Sequence, residues 1–126
     1  MAKIIFTSRD ELTAVDTDKV AFIQANGNYS KVVYINRKEV LITLGISIVE
    51  TTIKSANDLQ NKFVRLGRSV IVNHKYLHRI DLVRQLITLW DGAENEIRLK
   101  LPKTVLKVYK EATAKSFKLL AQNGKN

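Results

Sequence analysis

The chain has 126 residues, 45% of them hydrophobic, and it contains no cysteine. This length suits one domain, the apolar content is enough for a core, and the lack of thiols excludes disulfides and thiolate metal sites. The N-terminal apolar run is too short for a signal peptide, and no apolar stretch is long enough to span a membrane. We therefore expect a single domain over residues 1–126, with a core from about 3 to 110, in a reducing cytoplasm.

The positive charge is concentrated in the second half of the chain. Residues 1–61 hold seven Lys/Arg and seven Asp/Glu, whereas residues 62–126 hold 14 Lys/Arg and five Asp/Glu, so the formal net charge of +9 arises there. A one-sided basic field attracts polyanions, and nucleic acid is the partner that we expect. Charge alone leaves open an anionic membrane surface, an acidic protein, or lysines that only keep the protein in solution.

The first half predicts strands followed by one helix. Asn26-Gly27-Asn28 predicts a hairpin turn, because Asn-Gly adopts positive φ at low cost. Val49, Ile53 and Ala56 recur at helical spacing and predict an amphipathic helix from Ser47 to about Asn61. The predicted strands are Lys3–Thr7, Leu12–Val15, Val20–Gln24, Tyr29–Ile35 and Glu39–Leu44.

The second half predicts two hairpins and a final helix. Gly67-Arg68 suits a two-residue type II′ turn between two strands. Pro102 ends the last strand and opens a helix from Lys103 to about Ala121. The strands are predicted at Phe63–Leu66, Ser69–Val72, Leu86–Trp90 and Glu96–Leu101.

The final helix is predicted to be amphipathic. Its apolar face is predicted to hold Val105, Val108, Tyr109, Ala112 and Leu119. The opposite face is predicted to hold Lys103, Lys107, Lys110 and Lys118. Many short strands with one or two helices indicate a mainly β, antiparallel fold.

Catalytic chemistry has little support in the sequence. The two histidines, His74 and His78, stand four residues apart, but they lie between predicted strands, and neither a cysteine nor a carboxylate pair completes a metal site. No nucleophile stands beside a general base, and the glycines stand singly, so no phosphate loop is present. We predict a protein that is not an enzyme and has no cofactor, no metal and no membrane partner.

Three predicted turns carry side chains that suit DNA. The Arg68 guanidinium can donate two parallel hydrogen bonds to guanine O6 and N7, and the amides at the start of the last helix attract phosphate. Any one of these residues could be an ordinary solvated turn residue, but the set favours DNA-binding loops. The candidates are Ser30 and Lys31 after the Asn26–Asn28 turn, Arg65, Arg68 and Lys75 around the Gly67 turn, and Lys100 and Lys103 around Pro102.

Two long motifs resemble the LytTR DNA-binding domain. Val20–Lys31, which reads VAFIQANGNYSK, is similar to the first motif of that family. Phe63–Ile80, which reads FVRLGRSVIVNHKYLHRI, is similar to its second motif. Leu86–Gly92 and Ile97–Lys103 resemble the closing hairpin, so the resemblance extends over most of the chain.

The resemblance implies a bacterial transcription regulator with an elongated fold of three antiparallel sheets and one or two helices. In this family loops, not a recognition helix, enter successive major grooves of double-stranded DNA and touch the minor groove between them. The sites are commonly paired direct repeats, so a second copy on DNA is an expected partner. On positions that match the motifs, the contacts fall at Tyr29, Ser30 and Lys31, at Arg68 and at Lys103.

The sequence departs from the family pattern in three places. Gly67 stands where the family often has His, and Pro102-Lys103 replaces a usual Ser-Arg pair, so a point charge replaces a bidentate fork. Relatives commonly carry an N-terminal receiver domain, whereas this chain starts almost directly at the first predicted strand. We therefore expect control by a partner protein, by protein abundance or by another signal that the sequence does not reveal.

Two other functions stay open from the sequence. One is a protein-interaction module that binds a sensor or inhibitor and has only weak DNA affinity. The other is RNA binding, which the charge permits, although Tyr29 and Tyr76 are the only aromatic residues near the basic loops, so base stacking is poorly supplied.

Overall fold

The computed structural model describes residues 3–56 and 62–124, with side chains as far as residue 116. Within these residues the helices are α1 (Ile46–Lys54) and α2 (Lys103–Gly124), and short 3-10 helices lie at Thr17–Lys19 and His74–Tyr76. The strands are β1 (Lys3–Thr7), β2 (Leu12–Asp16), β3 (Val20–Asn26), β4 (Tyr29–Tyr34), β5 (Glu39–Ile42), β6 (Phe63–Leu66), β7 (Val70–Asn73), β8 (Leu77–Asp81), β9 (Leu86–Trp90) and β10 (Glu96–Lys100).

The strands form three antiparallel sheets. The central sheet has five strands in the order β5-β4-β3-β7-β6, with the β1-β2 hairpin and the three-stranded sheet β10-β9-β8 beside it. All paired strands run antiparallel. The mainly β, multi-sheet prediction with two helices is therefore confirmed. No helix in the described part of the chain is long and apolar enough to cross a membrane.

The central sheet buries apolar side chains on both faces. On one face Ile23 and Val32 pack into a cluster with Val49 of α1 and with the β1-β2 hairpin. On the other face Phe22 and Val72 pack into a cluster with residues from the three-stranded sheet and α2. Burial of one such side chain stabilises the fold by roughly 1.5–3 kcal/mol relative to its exposure. The two clusters hold the sheet rigid, so its terminal turns keep fixed relative positions.

The nine predicted strands are all present, with ends that differ by at most two residues. A tenth strand, β8, was not predicted. Its pairing with β9 shifts register between Leu77 and Arg79, and this irregularity breaks the apolar alternation that identifies a strand.

The first helix is shorter than predicted. It ends at Lys54, residues 55 and 56 are not helical, and the rest of the predicted span, residues 57–61, lies outside the described residues. The hydroxyls of Thr51, Thr52 and Ser55 each donate to the carbonyl four residues earlier. Such side chains compete with the regular helix and are poor residues for extending it.

The turn after β6 has three residues rather than the predicted two. Leu66 pairs with Val70, which leaves Gly67, Arg68 and Ser69 between the strands. The Ser69 carbonyl accepts a hydrogen bond of 2.8 Å from the Ala25 amide, so Ser69 is bonded towards β3. The two-residue prediction was wrong because the pairing of β6 with β7 ends at Leu66 and Val70 and leaves Ser69 without a partner in β6.

The buried face of α2 also differs from the prediction. Leu106 is fully buried and Tyr109 is buried, whereas Val108 is 68% exposed and Ala112 is exposed. The prediction was therefore wrong for Val108 and Ala112 and missed Leu106. Its further residues, Lys118 and Leu119, lie outside the described side chains.

Candidate nucleic-acid interface

Two hairpin turns lie at the same end of the central sheet. Asn26 pairs with Tyr29, so the chain reverses between β3 and β4 through Gly27 and Asn28, with Gly27 at a φ of 62°. β7 runs antiparallel to β3 with Val70 beside Gln24, which places the 67–69 turn at this end as well. Neighbouring strands are about 4.8 Å apart, so the centres of the two turns are roughly 10 Å apart.

The start of α2 lies next to the 67–69 turn. A Cβ atom on Gly67 would stand 3.5 Å from Cγ2 of Val105, in the first turn of the helix. The exposed Lys103 begins this helix and therefore lies at the same end of the molecule. Tyr29–Lys31, Arg68 and Lys103 are therefore brought together; we call this set the turn row.

The three residues at the start of β4 differ in exposure. Tyr29 is 46% exposed, and Lys31 is half-buried with its ammonium 3.8 Å from Oε2 of Glu39. Ser30 is fully buried, and its hydroxyl donates to the Leu44 carbonyl at 2.8 Å. Tyr29 and Lys31 are thus presented at the surface, whereas the Ser30 side chain ties β4 to the segment after β5.

Arg68 occupies the middle of the three-residue turn. The residue is exposed, and within the described part of the chain its guanidinium makes no ion pair or hydrogen bond. Gly67 precedes it at a φ of 67°, a conformation that glycine adopts without steric strain. The side chain is therefore available to a ligand that approaches this end of the sheet.

Arg65 is engaged within the protein. Its Nε donates to the Gly67 carbonyl at 3.1 Å, and its Nη2 donates to the Arg68 carbonyl at 2.6 Å. Its Nη1 donates to Oε1 of Glu50 in α1 at 2.8 Å. All three guanidinium nitrogens thus have a partner inside the molecule.

Lys75 lies away from the other candidates. It follows β7, whereas the 67–69 turn precedes that strand, so β7 separates the two by roughly 15 Å. Its Nζ donates to the Asp18 carbonyl at 3.3 Å and stands 5.3 Å from the centre of the Tyr76 ring. The prediction that Lys75 lies around the Gly67 turn was wrong. The extended strand β7 places residues that are close in the sequence far apart in space.

Two further basic residues, Lys100 and Arg84, lie near the start of α2. Sequence reasoning missed Arg84. Lys100 is exposed at the end of β10, and the next amide, that of Leu101, donates to the Gln85 carbonyl at 3.1 Å. This bond brings the 82–85 turn to the same place. Arg84 in that turn is exposed, with its Nε 3.9 Å from Oδ2 of Asp81. Recognition of β8 from the sequence would have revealed this basic turn.

The two histidines have separate aromatic neighbours. His74 Nδ1 is 2.5 Å from the Tyr109 hydroxyl, which joins the segment after β7 to α2. His78 packs edge-on against Trp90, with ring centres 4.8 Å apart. Among the described residues, no three potential metal ligands lie together.

In the described part of the chain the fold is mainly β, with three antiparallel sheets and two helices, and two hairpin turns lie at one end of its central sheet. The family model of the LytTr DNA-binding domain matches residues 10–113. The chain therefore belongs to the LytTR family, a non-enzymatic family of domains that bind DNA in transcription regulation.

A solved structure has the same fold. The LytTr DNA-binding domain of a Bacillus cereus response regulator is 16% identical to this chain, with a TM-score of 0.57. The match covers 88% of this chain and 95% of that chain. No curated protein matches the chain.

Proposed function

We propose that the chain binds double-stranded DNA sequence-specifically as a transcription regulator, and that its turns read the major groove at repeated half-sites. The observation that carries this proposal is the turn row, because its exposed members Tyr29, Arg68 and Lys103 lie at one end of a rigid sheet, with Lys31 half-buried beside them. Arg68 is exposed there without an ion pair among the described residues.

The candidate residues have different proposed roles. Arg68 reads a base, because its planar fork matches guanine O6 and N7. Lys103 and Lys100 neutralise phosphates, since an ammonium is a point charge, and the free amides at the start of α2 add to that attraction. Ser30 holds β4 in place through Leu44 rather than touching DNA. Lys75 lies outside this interface.

The size of the row suits the major groove. The two hairpin turns are about 10 Å apart along the sheet, and the start of α2 lies about 10 Å across one layer, so these perpendicular distances combine to about 14 Å. The major groove of B-DNA is about 12 Å wide. One copy therefore presents the row to about one groove.

Selection from a randomised duplex library tests the proposal. We expect an enriched sequence that binds at least roughly a thousandfold more tightly than a scrambled duplex of the same composition. Single-stranded DNA and RNA of the same sequence serve as controls, and we expect weaker binding to both. Failure to enrich any sequence, or equal affinity for RNA, would contradict specific reading of duplex DNA.

Repeated half-sites are tested separately. A duplex with two copies of the enriched half-site should bind the second molecule more tightly than the first, because contact between neighbouring copies raises the effective concentration of the second copy at its half-site. The control duplex places the half-sites half a helical turn out of phase. Equal occupancy of single and paired half-sites in a gel shift would count against this arrangement.

An apolar groove supports a second candidate function, the binding of a regulatory protein. The groove lies between β6 and α2, has a volume of about 430 Å³, and is lined mainly by Val64, Leu66, Val105, Val108, Tyr109 and Ala112. The variant Val108→Asp tests it. Loss of regulation in a reporter strain, with unchanged DNA affinity of the purified chain, would support this function, and unchanged regulation would contradict it.

A further inference from the structure

We propose that Arg65 and Glu50 position the turn that carries Arg68, so that Arg65 acts on DNA recognition through that turn and not by touching DNA. The inference rests on the proposed role of Arg68 as the residue that reads a base. It assigns a positioning function to two charged residues, one on a strand of the central sheet and one on helix α1.

The first observation is that one guanidinium bonds to two successive carbonyls of the turn. Nε of Arg65 donates to the Gly67 carbonyl at 3.1 Å, and Nη2 donates to the Arg68 carbonyl at 2.6 Å. Arg65 therefore holds the backbone on both sides of the Arg68 amide. A planar, rigid fork can satisfy two carbonyls in a fixed geometry, and a lysine ammonium has no such fork.

The second observation is that Glu50 holds this fork in place. Its Oε1 accepts from Nη1 of Arg65 at 2.8 Å, and its Oε2 lies 3.3 Å from the ammonium of Lys54 one turn later. Val49 and Ile53 of the same helix are buried against the central sheet, so α1 is a fixed support. Glu50 and Arg65 are both largely shielded, with 23% and 22% of their side chains exposed.

The third observation is that the Gly67 and Arg68 carbonyls have no other hydrogen-bond donor among the described contacts. Gly67, Arg68 and Ser69 are all exposed, and the Ser69 carbonyl is bonded to β3 through the Ala25 amide. The carbonyls of Gly67 and Arg68 are held by Arg65 alone among the described contacts. A turn that is ordered before binding loses less conformational entropy when it meets DNA, so the bonds to Arg65 increase affinity.

A double-mutant cycle tests the proposal on the duplex selected by the wild-type chain and on its scrambled counterpart. We expect Arg65→Lys, which keeps the charge, to weaken binding to the selected duplex about tenfold and to change binding to the scrambled duplex less than twofold. Glu50→Gln should weaken selected-duplex binding in the same direction by several-fold. In an Arg68→Ala background, Arg65→Lys should then add less than a further twofold loss. The matched control is Arg98→Lys, since Arg98 is exposed on β10 of the three-stranded sheet, where its ion-pair partner among the described residues is Glu96 of the same strand.

Each outcome of this cycle decides a different point. An additive loss from Arg65→Lys in the Arg68→Ala background would mean that Arg65 contacts DNA itself and would overturn the proposal. Full selected-duplex affinity in Arg68→Ala would overturn the proposed role of Arg68, a different result from failure of the positioning role.

The free protein provides a readout that does not depend on DNA. In NMR spectra of Arg65→Lys and Glu50→Gln we expect the amide signals of Arg68 and Ser69 to shift, while signals from the three-stranded sheet stay in place. Unchanged Arg68 and Ser69 signals in both variants would overturn the proposal. The unchanged sheet signals show that the variants are folded.

Discussion

Arg68 and Lys103 stand in the same row, but their side chains offer different chemistry. The guanidinium of Arg68 is planar and donates two parallel bonds, whereas the ammonium of Lys103 is a compact charge. Two parallel donors match the edge of a guanine base, whereas a phosphate binds either cation. Substitution of Arg68 and of Lys103 by alanine therefore distinguishes base reading from attraction to the DNA phosphates.

Arg68→Ala is expected to cost about 1–3 kcal/mol on the selected duplex and to relax the preference at one base position. Lys103→Ala is its control: it should weaken all duplexes about equally and lower the salt slope by about one. Binding isotherms of both variants on selected and scrambled duplexes provide the measurement. Unchanged selected-duplex affinity in Arg68→Ala would show that the assigned contact is wrong.

Residue type alone did not separate donors for DNA from donors inside the protein. Ser30 and Arg65 have side chains that suit nucleic acid, yet Ser30 bonds to Leu44 and Arg65 bonds to its own turn and to Glu50. The partners lie 14 and 15 positions away in sequence, on other elements. The direction of each side chain depends on how those elements pack, and the local sequence does not show this.

In helix α2, a small error in the predicted rotation about the helix axis changes which residues are expected to be buried. Leu106 and Tyr109, three positions apart, pack into the core, while Val108 faces out. The sequence pattern placed Val108 on the apolar face because valine is apolar. Packing against β6 and β8 instead buries the adjacent side of the helix, which holds Leu106 and Tyr109.

Leu106→Ala should destabilise the protein by about 2–5 kcal/mol, because it removes buried methyl groups and leaves a cavity. Val108→Ala is the matched control two positions further on, and it should stay within about 0.5 kcal/mol of wild type. Urea unfolding followed by circular dichroism measures both. Equal destabilisation by the two variants would contradict the observed orientation of α2.

Tyr109 makes the free energy of unfolding depend on pH in the alkaline range. Burial raises the pKa of this phenol above its ordinary value of 10.0. The folded state therefore holds the proton more tightly than the unfolded state does. This contribution to stability is complete below about pH 10 and is lost as the pH rises above that value.

Tyr109→Phe should therefore reduce the loss of stability between pH 9 and 11, in urea unfolding measured at a series of pH values. At pH 8 the variant should lose about 1 kcal/mol, because the bond to His74 is removed. Some alkaline loss should remain, since burial also raises the pKa of Tyr76. The exposed Tyr29→Phe is the control. A pH profile in Tyr109→Phe identical to wild type would refute this role of Tyr109.

At the scale of the whole molecule, the net charge of +9 attracts DNA, and the number of phosphates contacted sets the salt dependence of binding. Each phosphate that a cation neutralises releases condensed counterions, and the affinity falls accordingly as salt is added. The basic residues are spread over several turns and α2, so we expect a moderate number of phosphate contacts.

If the turns meet about five to eight phosphates, the logarithm of the binding constant should fall with the logarithm of salt concentration at a slope of roughly −4 to −7. A titration on the selected duplex measures this slope, and the same titration on single strands of equal length is the comparison. Binding that is insensitive to salt would favour the interaction-module function instead.

The sequence by itself determined the elements, the family and the types of residue at the surface. Apolar alternation and turn residues such as Asn26-Gly27 are local signals, and strand and hairpin formation respond to them directly. Nine of the strands and the start of α2 were predictable for that reason. The motif Phe63–Ile80 identified the family before any geometry was known.

Only the tertiary structure decided which turns meet and which side chains are free. The pairing of β3 with β7 joins residues 46 to 50 positions apart, and it places the 67–69 turn beside the β3-β4 turn while Lys75 lies at the far end. The same packing engages Arg65 with α1 and leaves Arg68 available. These arrangements depend on contacts between segments that are distant in the sequence. The free energy of those contacts comes from burying side chains against one another, and a local sequence pattern does not show which segments pack together.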